Sequence, residues 1–143
     1  MPLTPVQIER LNMNLSLVES QIEKLVAAFY DKLFQAAPEV RALFPDDPGT
    51  QRSDLTGALL LVAKNIQDLE NLGDPLRQIG ESNTLIAELG AHYPLVRDCM
   101  LKAVAQVSGY TWTPNLEQDW TLVLDTVAGH IIEGAGIDRT RAA

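Results

Sequence analysis

The side chains best suited to metal or nucleophilic chemistry are few in this chain: two histidines, His92 and His130, and one cysteine, Cys99. A single thiol cannot close an internal disulfide, and it excludes zinc or iron–sulfur centres built from several cysteines. No serine or cysteine stands with a histidine in a recognisable nucleophile motif, so a covalent hydrolase has no support. Cys99 sits mid-helix in RDCMLKAV beside an apolar stripe, the setting of a small buried hydrophobe. One further position breaks a pattern. Leu76, Ile79, residue 83 and Ile86 follow three–four–three helical spacing, and the third of them is Asn83. A primary amide buried without partners costs roughly 1–3 kcal/mol. Either Asn83 bonds a carbonyl or a water where the helix kinks after Gly80, or this stripe faces a ligand cavity instead of plain core.

Composition sets the frame for these residues. The chain has 143 residues, 46% hydrophobic and 21% charged, which suits one globular domain with a sizeable core. We expect a single domain over 1–143, with 135–143 a flexible tail. Eleven Lys and Arg against 19 Asp and Glu give a net charge of -8 and a pI near 4.6. That far field repels phosphate backbones and anionic membranes, so neither nucleic acid nor membrane is an expected partner. The N-terminus lacks a basic segment followed by an apolar one, and the longest apolar run, GALLLVA at 57–63, falls far short of the ~20 residues of a membrane helix. The expected location is cytoplasmic.

The elements that must position these residues are helices. Thr4-Pro5, Asp74-Pro75 and Thr113-Pro114 each place a capping residue before a proline at the first helical position. Thr4 with Gln7 fits a capping box. Pro38 and Pro94 mark further starts, and Gly73 and Gly109 fall where helices should stop. Apolar residues step by three and four through Ile22, Leu25, Val26, Phe29 and Leu33, and again through Leu55, Leu59, Val62, Ile66 and Leu69. Later stripes run through Val96, Met100, Ala103 and Val107, then Leu116, Trp120, Val123 and Val127. No hairpin turn and no sustained alternation appears. The spacing predicts an all-α chain with helices over 4–19, 21–36, 38–43, 49–70, 74–89, 92–108 and 113–134.

Three runs in this order, FYDKLFQAAPEVRALFPDD, LGAHYPLV and GYTWTPNLEQDW, resemble bacterial single-domain globins, similar to the globin domain of flavohaemoglobins. The resemblance covers about 4–134. It implies the globin fold: helices A to H with a short C helix, a three-on-three sandwich around a haem pocket. It also assigns roles. Tyr30 matches the distal tyrosine that hydrogen-bonds iron-bound oxygen, Phe44 the phenylalanine that stacks on the porphyrin, Gln51 the distal glutamine and Leu55 the apolar residue beside it. Tyr93 matches a tyrosine bordering the proximal side, and Trp120 a tryptophan of the last helix. In these relatives the iron-binding histidine stands nine positions before the histidine of the HY pair. Here the pair is His92-Tyr93, and that place holds Asn83, in the run Gly80-Glu81-Ser82-Asn83.

A carboxamide is a poor substitute for imidazole, because its nitrogen is not basic and its oxygen is a weak, hard donor. Haem is implied by the resemblance, but without its usual histidine ligand. His92 is present in haem-binding relatives without ligating iron, and His130 sits one step from the Val127–Ile131 stripe. Tyr30 as a phenolate would favour ferric iron, which does not bind oxygen. Two functions follow as expectations. One is a non-haem or weakly haem-binding module that takes a small ligand or acts as a sensor, with no catalytic residues. The other is a haem globin binding oxygen or nitric oxide through Tyr30 and Gln51, with dioxygenase activity towards nitric oxide if haem is bound and electrons come from elsewhere.

Overall fold

The structure, a computed structural model, describes residues 3–43, 49–82 and 92–134. The expected tail, 135–143, lies outside them. Among the described residues the chain is helical and has no strand. Helix α1 spans Pro5–Ser20 and α2 spans Ile22–Ala36, followed by a 3₁₀ segment, Pro38–Leu43. Helix α3 (Gly49–Lys64) leads through a second 3₁₀ segment, Ile66–Leu72, into α4 (Gly73–Ser82). Helix α5 (Tyr93–Ser108) and a short turn, Gly109–Thr111, precede α6 (Pro114–Gly134).

The starts follow from local chemistry. The Thr4 backbone amide donates to Gln7 Oε1 at 2.8 Å, and the Gln7 amide donates back to Thr4 Oγ1 at 3.3 Å. That is the expected capping box. At the head of α6, the Leu116 amide donates to Thr113 Oγ1 at 3.1 Å. Gly109 closes α5 with φ of 61°, a backbone setting that costs glycine little and other residues much.

Two boundaries differ from the sequence reading. Gly73 opens α4 instead of ending a helix, and Asp74, expected as a cap, lies in the first turn paired with Arg77. The helix expected over 49–70 stops at Lys64. Asn65 Nδ2 donates to the Leu61 carbonyl at 2.9 Å, diverting the acceptor side of the last turn. Beyond it, Ile66, Leu69 and Leu72 are all buried at intervals of three. Three is the period of a 3₁₀ helix, the geometry of this segment on either side of Asp68. Asp68 breaks even this segment with non-helical angles.

Packing is closest between α4 and α6 and between α2 and α5. A buried polar knot fixes α1 to the last two helices. Asn14 Nδ2 donates to Ser108 Oγ at 2.8 Å, and Trp120 Nε1 donates to Asn14 Oδ1 at 2.7 Å. One turn away, Arg10 donates to both oxygens of the buried Asp119, at 2.7 and 3.1 Å. Such a fork matches guanidinium geometry to a carboxylate. Asn14→Ala leaves the Trp120 N–H unpaired in the core and should cost about 1–3 kcal/mol. The check is a urea titration, with a lowered midpoint and an unchanged slope.

Candidate functional site

Tyr30 is placed by α2, whose apolar face carries Leu25, Val26, Phe29 and Leu33 into the core. It is 4% exposed, with its ring centroid 5.2 Å from that of Phe29 at 58° and 5.8 Å from that of Phe34 at 29°. The Arg41 guanidinium carbon lies 5.2 Å from the Phe34 centroid, so an aromatic ladder runs from the core at Tyr30 to a cation at the surface.

Tyr93, the first residue of α5, is half-buried. Its hydroxyl donates to Asp125 Oδ1 on α6 at 2.6 Å. Arg97 reaches the same carboxylate oxygen at 3.5 Å and lies 6.0 Å from the Tyr93 ring centroid. A phenol has one proton to donate, and here it goes to Asp125.

Of the other expected pocket residues, Phe44 and Asn83 lie outside the described residues, as do the side chains of Gln51 and Leu55, although both positions fall within α3. The remaining groups of metal-ligand type are accounted for one by one. His92 is exposed just before α5, and His130 is half-buried on α6. Cys99 and Met100 are buried on α5, whereas Met13 is exposed. Burial pushes the Cys99 thiol above its ordinary value, only partly countered by Lys102. Among the described residues, no three His, Cys, Asp or Glu side chains converge on a metal position. From Asn65 to Ala91 the sequence has no histidine, cysteine, methionine or tyrosine at all.

Sequence reasoning missed Asn14, Ser108, Asp119 and Asp125 as functional partners within the frame. Asn14 could have been found: it interrupts the stripe of Leu11, Leu15 and Val18, just as Asn83 interrupts a later one. Asp119 and Asp125 gave no such signal, because their partners lie far away in sequence.

The globin family pattern matches residues 27–131. The chain is a globin. It is 30% identical over 128 residues to a flavohemoprotein of Bacillus subtilis, covering 87% of this chain and 32% of that protein. It is 28% identical over 135 residues to a flavohemoprotein of Pseudomonas aeruginosa, covering 92% and 34%. The globin thus spans about a third of the length of these two relatives. Among solved structures it is similar to a bacterial globin from Campylobacter jejuni, with TM-score 0.76, 25% identity and coverage of 93% and 96%. It is also similar to an engineered carbene transferase from Rhodothermus marinus, with TM-score 0.79, 25% identity and coverage of 98% and 96%. The globin fold expected from the sequence is therefore established.

The raised Cys99 thiol stays protonated near neutral pH, and burial shields it from reagents. With Ellman's reagent at about pH 8, folded globin should react at least roughly tenfold more slowly than protein in urea. Equal rates would contradict the buried assignment.

Proposed function

We propose that this globin is a small-ligand-binding or sensory module of the cytoplasm whose pocket does not anchor iron through histidine, so that haem is held weakly or not at all. The family implies haem, and the test of fit is the chemistry of the donor set. Haem iron in this fold is held from one side by neutral imidazole, a good donor to iron. From Asn65 to Ala91 the chain offers only carboxylates, amides, hydroxyls and one guanidinium besides apolar groups. Asn83, nine residues before His92, stands where the resemblance puts the ligand. Imidazole-held iron does not fit this set.

That absence of an imidazole donor from 65 to 91 carries the reading. Tyr93 supports it independently, because its hydroxyl proton is committed to Asp125 and is not available to orient a ligand across the proximal side. The acidic balance, net charge -8, disfavours anionic macromolecules as partners. Within this reading Tyr30, Phe44, Gln51, Leu55, Asn83 and Tyr93 line the ligand pocket and none of them is catalytic.

A second reading is favoured by the buried, aromatic-flanked Tyr30 and by the likeness to flavohemoproteins. In it the globin binds oxygen or nitric oxide through Tyr30 and Gln51 and serves storage or detoxification. Absorption spectra of the purified and dithionite-reduced protein separate the two. We expect no haem that remains bound one-to-one after reduction. A stable ferrous Soret band with the five-coordinate imidazole pattern would overturn the first reading in favour of the second. Asn83→His should supply the missing donor and create that ferrous spectrum. A variant still unable to retain ferrous haem would show that the deficit lies elsewhere than at position 83.

A further inference from the structure

Four large apolar side chains are exposed among the described residues: Val6 at 59%, Met13 at 74%, Tyr110 at 99% and Leu122 at 38%. Isolated ones are ordinary on any protein surface, but these are not scattered. Val6 and Met13 stand on α1, and the other two follow residues bonded to it. Tyr110 comes two residues after Ser108, the partner of Asn14, and Leu122 three residues after Asp119, the partner of Arg10. On α1 itself Val6, Glu9, Arg10 and Met13 follow i, i+3, i+4, i+7 spacing. They share one face of the helix, turned away from the buried Leu11, Leu15 and Val18.

This stripe is complementary to itself. Two copies of α1 laid antiparallel about a two-fold axis between residues 9 and 10 bring Val6 of one against Met13 of the other, and Glu9 against Arg10. Each contact occurs twice by symmetry. Sliding one helix by a turn of four residues sets Met13 against Arg10 instead, and a parallel pairing sets Glu9 against Glu9. Arg10 has room for a second carboxylate. Its Nε and Nη2 serve Asp119, Nη1 is left over, and the side chain stays 36% exposed. Glu9 is exposed beside it. Two chains of net charge -8 repel over most of their surfaces, whereas on this face each free carboxylate meets a cation.

We propose that the outer face of α1 joins two copies of this globin, antiparallel, with Val6 packed on Met13 and Glu9 paired with Arg10 across a two-fold axis. One helical stripe is a small contact, so the dimer is weak and depends on concentration.

Sedimentation velocity of the whole protein, from micromolar to near-millimolar concentration, tests this. The wild-type coefficient should rise with concentration toward that of a dimer. Glu9→Lys creates two like-charge pairs across the axis and should weaken association by roughly tenfold or more. Met13→Asp sets a carboxylate against Val6 and should also favour the monomer. Both positions are exposed, so circular dichroism should show an unchanged fold. The double variant Val6→Cys, Met13→Cys reads the register: oxidation with diamide should give a covalent dimer, and either single variant far less. Within one chain these positions are roughly 10 Å apart along the helix, too far for a disulfide, and Cys99 is buried. A wild-type protein that stays monomeric throughout would overturn the proposal and leave this face to a different chain. A dimer indifferent to Glu9→Lys and Met13→Asp, with no cross-link in the double variant, would also overturn it, because the copies would then meet elsewhere.

Discussion

The frame of this globin depends on a small polar knot inside an apolar core. Asn14 accepts from the Trp120 indole and donates to Ser108, so one amide ties α1 to the end of α5 and the start of α6. Beside it, Asp119 is only 1% exposed and takes both donors of the Arg10 fork. Neither group could be buried alone, because an unpartnered amide or carboxylate costs more than the surrounding contacts return. Paired, they fix the position of α1 along α6, and that register holds the core of Leu11, Leu15, Val104 and Val123 closed. Among the described residues, every buried side-chain nitrogen and oxygen has a partner.

The functional half of the molecule obeys the same accounting of donors and acceptors. A globin pocket that holds iron through a histidine must set an imidazole on the short helical stretch facing α6, and this chain places none between residues 65 and 91. At the start of α5, Tyr93 turns its proton to Asp125 beside Arg97. On α2, Tyr30 is buried with its ring between those of Phe29 and Phe34.

Much of the frame was legible in the sequence because helix ends and faces are local properties. Thr4 with Gln7, Thr113 before Pro114, and Gly109 each announced a boundary that the structure shows. The break after Lys64 was not legible from the α-helical stripe alone. Leu59, Val62, Ile66 and Leu69 satisfy a period of 3.6, while Ile66, Leu69 and Leu72 satisfy a period of three, and the structure breaks the helix beside Asn65, whose side chain bonds the Leu61 carbonyl. The pairings of Asn14 with Ser108 and Trp120, and of Tyr93 with Asp125, join residues distant in sequence, so spacing could not reveal them. Tyr30 and Tyr93 are seen in their surroundings, whereas the expected roles of Phe44, Gln51, Leu55 and Asn83 rest on the sequence.

The central claim is that no histidine bonds iron in this globin. Low-frequency resonance Raman spectroscopy of the ferrous, haem-reconstituted protein reads that bond directly, through the iron–imidazole stretching mode. The account predicts that this mode is absent in the wild-type protein and appears in Asn83→His. A clear iron–imidazole stretch in the wild-type protein would contradict it.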